Sequence, residues 1–200
     1  AFGYENDAYG YDSSAFGNRN EATGEYSLSF GNRNKAYGDY SAAIGQYNSA
    51  YGEESSSIGV DNTASDWRSV SMGYFNTASG TYATAVGGSN YAIGFGSSAI
   101  GNANNVALDD SYYVVDTYVS GMLSNAVGSN NVATGSSSSA HGFQNFSDGT
   151  NSSAIGYQNY ALGTNSAAMG SSNTAVDTHS SAIGYDNNAM AYGSNAIGYH

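Results

Sequence analysis

Glycine, small polar residues and large apolar residues recur along this chain with a period of seven. Gly stands at every seventh position over 3–101 and again over 121–198, and only Asp66, Asp177 and Ala191 interrupt the two series. The series fill 24 of their 27 positions with Gly, so the spacing is not a chance result of a glycine-rich composition. A fixed period of this kind is typical of a repeat architecture.

The residues between the glycines show that the true repeat has 14 residues. Asn and Ser alternate three residues after successive glycines, and Ala nearly always stands two residues before each glycine. The consensus is G-x-x-N-x-A-(Y/T)-G-x-x-S-x-A-(I/F). The residue before every second glycine is nearly always large and apolar, and we call these positions the apolar series: Phe2, Phe16, Phe30, Ile44, Ile58, Met72, Val86, Ile100, Val127, Ile155, Met169, Ile183 and Ile197.

The pattern predicts an all-β fold. Gly in every heptad excludes stable helices and coiled coils, and the absence of Pro and of a period of three excludes collagen. Each half-repeat alternates in polarity and then turns, as a short strand does. Its Asn or Ser, Ala and Gly lie two residues apart, so they share one strand face. We therefore predict a narrow parallel β-solenoid with two short strands in each 14-residue coil.

The interior of such a solenoid is expected to admit only Ala, Gly and Ser between the facing strands. We expect Gly to supply the positive φ or the close backbone approach that each corner needs. The Asn and Ser columns are expected to form hydrogen bonds with the turn backbone or with their counterparts in the next coil.

The apolar series lies on the opposite strand face and is therefore expected to form one straight stripe on the outside. An interior of Ala and Gly buries little apolar area, and an exposed stripe would be an aggregation site. Packing against identical stripes would stabilise an oligomer by roughly 1.5–3 kcal/mol for each fully buried side chain. We interpret the apolar series as the core of a subunit interface; a monomer lying on another partner is the alternative.

The repeat is regular over 1–101 and 128–200 and irregular over 102–127, which we interpret as three parts of one continuous solenoid. Gly101 and Gly128 are 27 residues apart, one residue short of two coils. The simplest interpretation is a degenerate coil that has lost one residue. An inserted hairpin or loop is the alternative.

The repeats carry a resemblance to a known family. Segments 48–52 (NSAYG), 97–101 (SSAIG), 152–156 (SSAIG) and 180–184 (SSAIG) resemble the YadA-type head repeats of trimeric autotransporter adhesins. The resemblance covers nearly the whole chain and fails only around 102–123. It implies a left-handed parallel β-roll, a homotrimer with three chains side by side, and a place on the surface of a Gram-negative bacterium.

The resemblance also implies adhesion to a host extracellular-matrix protein, to a glycan or to an abiotic surface. The family's neck, stalk and membrane anchor are not in this chain, so we expect membrane contact only through such parts. Similar repeats occur in phage fibres, so a purely structural segment of a filament or fibre stays open. An ice-binding solenoid is disfavoured, because the outward columns mix residue types instead of repeating Thr-x-Thr.

Aromatic residues concentrate one or two residues after the glycines, at the expected corners. They are interpreted either as columns that stack one coil apart or as a rigid contact surface for a ligand. Trp67, beside the Asp that replaces a glycine, is the strongest single candidate for a binding hot spot, and plain packing is its alternative. The candidate ligand residues are Tyr40, Tyr47, Trp67, Tyr74, Phe95, Tyr112 and Tyr113.

Composition narrows the function further. The 200 residues contain no Cys, 4 basic and 16 acidic residues, with a net charge of −12. Disulfides and cysteine-bound metal sites are excluded, and so few cations argue against nucleic-acid binding. No apolar run is long enough for a transmembrane helix. The start at Ala1 lacks the features of a signal peptide, so we expect a mature protein or an excised segment.

We expect neither catalysis nor a cofactor. The three histidines do not share a column, and no nucleophile elbow or paired general base is present. Asp109, Asp110 and Asp116 have oxygen ligands that suit Ca²⁺, but the nonapeptide pattern of calcium-binding β-rolls is absent. No metal site is therefore predicted.

Overall fold

The computed structural model describes residues 1–102, 118–119 and 121–200. Every helix or strand in these residues is a β-strand. The chain divides into two compact units, Ala1–Ile93 and Gly94–His200, which we call the first and the second unit. The predicted all-β parallel solenoid with 14-residue coils is confirmed in both. The left hand of the roll and the trimer stay predictions.

The first unit alternates longer and shorter strands. Its longer strands are Phe2–Tyr4 (β1), Ser14–Asn18 (β3), Leu28–Asn32 (β5), Ala42–Gln46 (β7), Ser56–Val60 (β9), Val70–Tyr74 (β11) and Thr84–Gly88 (β13). Its two-residue strands are Asp7–Ala8 (β2), Glu21–Ala22 (β4), Lys35–Ala36 (β6), Ser49–Ala50 (β8), Thr63–Ala64 (β10), Thr77–Ala78 (β12) and Tyr91–Ala92 (β14). Each strand pairs in parallel with the strand of its own kind in the next coil, 14 residues later.

The second unit follows the same plan. Its five-residue strands are Ser98–Asn102 (β15), Asn125–Ser129 (β17), Ser139–Phe143 (β19), Ser153–Tyr157 (β21), Ala167–Ser171 (β23), Ser181–Tyr185 (β25) and Asn195–Tyr199 (β27). Its two-residue strands are Tyr118–Val119 (β16), Val132–Ala133 (β18), Phe146–Ser147 (β20), Tyr160–Ala161 (β22), Thr174–Ala175 (β24) and Asn188–Ala189 (β26).

The ladder of longer strands continues directly across the irregular segment. Strand β15 pairs with β17, and Gly101 lies opposite Gly128. The predicted degenerate coil and its alternative, an inserted hairpin or loop, both concern residues 103–117, which lie outside the described residues. Tyr112 and Tyr113, and the three aspartates considered for Ca²⁺, lie outside the described residues.

The interior is built from small side chains, as predicted, with one addition. The inward Ala residues, such as Ala36, Ala43 and Ala50, are completely buried. The largest fully buried side chains, however, are the asparagines of the repeat, which include Asn34 and Asn48. The expectation that only Ala, Gly and Ser fit inside is thus too narrow. Asn fits because it lies in the turn, where backbone groups provide hydrogen-bond partners.

Each coil has two unlike halves. The long half is the longer strand together with the turn that follows it, which holds the buried Asn; we call this turn the Asn corner. The short half is the two-residue strand together with the turn that holds the buried Ser, which we call the Ser corner. In the coil that includes β7, for example, the long half ends at Asn48 and the next short half ends at Ser55.

The glycines of the series do not supply the left-handed backbone of the corners, which was one of the two roles expected of them. The residue two positions after each glycine does, with φ of 50–60° at such residues as Arg33, Tyr40 and Tyr47. The cost of this conformation is offset by a backbone hydrogen bond to the preceding coil, as from Tyr40 N to Glu25 O at 2.7 Å. Of the glycines out of phase with the repeat, Gly96 and Gly193 occupy this corner position.

Close backbone approach is the part of the glycine prediction that is confirmed. A Cβ at Gly38, in a short half, would lie 2.0 Å from the carbonyl oxygen of Gly52 in the next coil. A Cβ at Gly45, inside β7, would lie 2.1 Å from the carbonyl oxygen of Gly59. Gly45 additionally has φ of 118°, which side chains disfavour.

Candidate functional site

The apolar series forms a column on the outward face of the longer strands in each unit. Phe30 lies directly between Phe16 and Ile44 in the parallel register, because each repeat has the same length. Ala and Ser occupy the inward positions of these strands, so alternation turns the large residue outward. The side chain of Phe30 is 54% exposed and that of Ile155 is 38% exposed. We call this column the apolar stripe.

In the first unit the apolar stripe runs without a polar interruption; its residues are Phe2, Phe16, Phe30, Ile44, Ile58, Met72 and Val86. In the second unit His141 interrupts it between Val127 and Ile155. The remaining residues of the second unit's stripe are Ile100, Met169, Ile183 and Ile197. Contiguous exposed apolar surface of this kind marks an interaction site.

A ladder of buried asparagines fixes the backbone beneath the stripe. Nδ2 of Asn48 donates to the carbonyl oxygen of Ile44 at 2.9 Å, to that of Gly59 at 2.7 Å, and to Oδ1 of Asn34 at 3.0 Å. The backbone N–H of Asn48 donates to the same Oδ1 at 3.0 Å. Since Ile44 is a stripe residue, the Asn corner holds the stripe's own carbonyl in place.

The Ser corner is bonded less completely. The buried Oγ atoms of Ser27, Ser41 and Ser55 have no hydrogen-bond partner among the described residues. At Ser69, by contrast, Oγ donates to the carbonyl oxygen of Asp66 at 2.7 Å and accepts from its N–H at 3.2 Å. The Ser hydroxyl therefore gains partners where the preceding glycine is replaced.

The aromatic residues at the corners stack along the coils. The rings of Tyr26 and Tyr40 lie 5.0 Å apart and nearly parallel, and those of Phe143 and Tyr157 lie 5.7 Å apart with an angle of 5°. Stacking one coil apart, one of the two interpretations of these residues, is thus present in the structure. Tyr40 is nevertheless 59% exposed, so packing leaves much of its surface accessible.

The candidate ligand residues that the structure describes lie at different places on the coils. In the first unit Tyr40 and Trp67 lie at Ser corners, whereas Tyr47 lies at an Asn corner and Tyr74 at the end of β11. In the second unit Phe95 lies at a Ser corner. Tyr74 packs edge-on against the neighbouring ring of Phe75, with centroids 4.2 Å apart.

Trp67 lies in a tight cluster. The guanidinium carbon of Arg68 lies 4.5 Å from the centre of its ring, and the ring of Tyr82 lies 4.9 Å away. Arg68 in turn donates twice to Glu54, at 2.6 and 3.1 Å, and this hydrogen bonding holds the pKa of Glu54 below its ordinary value. Both interpretations of Trp67 remain compatible with these contacts, which fix its orientation.

The four basic residues of the first unit were not among the predicted site residues. Comparing charges 14 positions apart would have shown which of them have an acidic neighbour in the adjacent coil. Arg19 and Arg68 each form an ion pair with a glutamate 14 residues earlier, Arg19 with Glu5 at 2.5 Å. Arg33 and Lys35 form no ion pair within the described residues. Residues 14 positions apart are neighbours in adjacent coils, so the absence of an acidic residue at position 19 or 47 leaves Arg33 unmatched.

The described residues hold no group of three or more His, Asp or Glu side chains that could bind a metal ion. They also contain no helix of the length and apolarity needed to cross a membrane.

Comparison with protein families gives one match. The family model of the YadA head domain repeat, in two copies, matches residues 22–48, 68–90, 147–173 and 161–187. The matches fall in both units and together cover somewhat less than half of the chain. No curated protein matches it. The resemblance to YadA-type head repeats is therefore confirmed.

Proposed function

We propose that this chain, which contains YadA head domain repeats, is the adhesive head of a trimeric autotransporter on the surface of a Gram-negative bacterium. The observation that carries the proposal is the coincidence of these repeats with an exposed apolar stripe on the same coils. The repeats indicate a head domain of the YadA type. The stripe supplies a surface on which copies of the chain can associate.

The apolar stripe is the proposed trimer interface. Side chains in register, such as Ile44 and Ile58, would meet the same side chains of two partner chains around a common axis. Burial of this surface offsets the small apolar gain from an interior of Ala, Asn and Gly. The ladder beneath the stripe keeps its residues at a constant spacing, so that one geometry serves every coil.

The proposed ligand surface lies on the outward aromatic residues of the corners. Tyr and Trp offer large contact areas at a low cost in conformational entropy, and stacking has already restricted Tyr40. A host extracellular-matrix protein, a glycan or an abiotic surface would bind there. Attachment to the bacterium would run through parts of the protein outside these 200 residues.

Binding of the isolated chain tests the adhesive role. Beads coated with the chain should bind saturably to at least one of collagen, fibronectin, a glycan array and polystyrene. Replacing Trp67 and Tyr74 by Ala should weaken that binding without changing the circular dichroism spectrum, because both side chains are largely outside the interior. Failure to bind all four surfaces would contradict adhesion and favour a purely structural fibre segment.

A further inference from the structure

All four basic residues of this acidic chain lie in the first unit, and only two of them are neutralised. Arg19 and Arg68 are paired with Glu5 and Glu54. Arg33 and Lys35 are exposed and have no carboxylate within ion-pair distance among the described residues. These two side chains therefore keep positive charge at the surface of a protein with a net charge of −12.

Arg33, Lys35 and Tyr37 alternate along the chain with inward residues. Asn34 and Ala36, which separate them, point into the interior and are completely buried. The guanidinium carbon of Arg33 lies 5.5 Å from the ring centre of Tyr47, and its Nη1 donates to the Tyr47 hydroxyl at 2.7 Å.

Tyrosine rings lie near both cations. Nζ of Lys35 lies 5.9 Å from the ring centre of Tyr37, and the rings of Tyr37 and Tyr51 lie 5.3 Å apart at an angle of 45°. Tyr51 is 46% exposed. Two cations thus stand beside aromatic surface that neighbouring coils hold in place.

Glu21, which lies opposite Lys35 in the pairing of β4 with β6, is engaged by a tyrosine. The hydroxyl of Tyr37 donates to Oε2 of Glu21 at 2.7 Å. Burial, together with Glu21, raises the pKa of Tyr37 to about 12, so the phenol stays protonated and keeps donating at neutral pH. Glu21 is therefore oriented toward Tyr37 and forms no ion pair with Lys35.

We infer that Arg33, Lys35, Tyr37, Tyr47 and Tyr51 form a binding site for an acidic oligosaccharide. Carboxylate or sulfate groups would bind the guanidinium and the ammonium, and the apolar face of a sugar ring would pack on Tyr37 and Tyr51. The inference rests on the proposed adhesive function and names a ligand class for it. In the proposed trimer the site would occur three times, so that weak single contacts add to useful avidity.

An acidic glycan fits this site better than a nucleic acid. Nucleic-acid binding requires several cations that neutralise successive phosphates, and only two unpaired cations are present here. The net charge of −12 would also repel a dense polyanion. A glycan with one acidic group in each one or two sugars matches two cations and provides ring faces for the tyrosines.

The test is direct binding of oligosaccharides to the full 200-residue chain. Titration calorimetry should detect binding of a chondroitin sulfate octasaccharide that weakens as salt increases, and no binding of an uncharged maltooligosaccharide. The double variant Arg33→Gln with Lys35→Gln should lose about tenfold or more in affinity, because it removes both charge-assisted contacts. The matched control, Thr150→Asp with Thr164→Asp, lowers the net charge by the same amount at exposed positions of the second unit and should change the affinity less than about twofold if the contacts at Arg33 and Lys35 dominate.

Two results would overturn the inference. One is an equal loss of affinity in the two double variants, because the change in net charge alone would then account for the loss. The other is binding of duplex DNA as tight as that of chondroitin sulfate, with the same dependence on Arg33 and Lys35. If chondroitin sulfate does not bind but collagen or fibronectin does, this inference is wrong and the proposed adhesive function stands. If no surface and no oligosaccharide binds, both are wrong.

Discussion

The two halves of a coil use glycine for different reasons. In every described long strand the glycine lies inside the strand with φ between 115° and 142°. The glycines of the series that stand in the short half, such as Gly38, have no left-handed φ and are needed only because the next coil passes close by. The long half therefore imposes two conditions on this position and the short half imposes one.

The exceptions in the sequence follow this difference. Asp66, Asp177 and Ala191, the three residues that replace a glycine of the series, all stand in short halves. At Asp66 the backbone N–H bonds to Ser69, and the carboxylate accepts hydrogen bonds from Trp67 N and the Thr81 hydroxyl. The short half can thus rearrange locally, which makes it the half that can vary in surface chemistry. The long half, with its ladder and stripe, is the constant scaffold.

The largest expected effect comes from the stripe of the long half. Ile44→Asp together with Ile58→Asp should dissociate the proposed trimer or unfold the chain, because two carboxylates per chain would replace roughly 1.5–3 kcal/mol of favourable burial at each site. Thr63→Asp with Thr77→Asp, on outward positions of short strands, is the matched control and should leave assembly intact. Light scattering of both variants measures the mass. An unchanged mass of three chains in the Ile variant would contradict the stripe as the interface.

A large loss of stability is also expected when the glycine of a longer strand is replaced by Ala. Gly45→Ala should destabilise the fold by about 3–5 kcal/mol, since it adds backbone strain to a clash with the carbonyl oxygen of Gly59. Gly38→Ala adds only a clash and should cost about 1–3 kcal/mol, with relief through the rearrangement seen at Asp66. Denaturant unfolding at equal chain concentration measures both. Equal losses would remove the distinction between the halves.

The next largest difference in stability is expected between substitutions at the Asn corner and at the Ser corner. Asn48→Ala leaves the carbonyls of Ile44 and Gly59 without their side-chain donor and should cost about 2–4 kcal/mol. Ser41→Ala removes a hydroxyl that has no partner among the described residues and should change the free energy of unfolding by less than about 0.5 kcal/mol. Denaturant unfolding is again the measurement. A Ser41→Ala loss as large as that of Asn48→Ala would show that both corners depend on their side chains alike.

The smallest effect concerns the outward face of the short half. Because the pKa of Tyr37 is raised to about 12, the stabilisation tied to its protonated phenol is complete below the ordinary tyrosine pKa and is lost as the pH rises through 12. An ultraviolet titration of Tyr37→Phe should lack only the last part of the tyrosine ionisation. If the variant instead lacks the part of the ionisation that occurs at lower pH, the raised pKa described for Tyr37 is contradicted.

The sequence predicted the repeat, the pairing register and the inward face well, because equal repeat length and strand alternation leave little freedom. It did not predict which residue takes the left-handed corner, since residues as different as Arg33 and Tyr40 adopt it once the backbone hydrogen bond to the previous coil is available. The direct pairing of β15 with β17 was also missed, because spacing alone counts residues and does not report pairing. The unpaired Arg33 could have been found by comparing charges 14 positions apart.

Assembly through the apolar stripe is the central claim, and the mass of the unaltered chain in solution tests it most directly. Light scattering coupled to gel filtration should give three times the 20.5 kDa of one chain over a range of concentrations. A mass of one chain at all concentrations would contradict the trimer and leave the exposed stripe without the partner proposed for it.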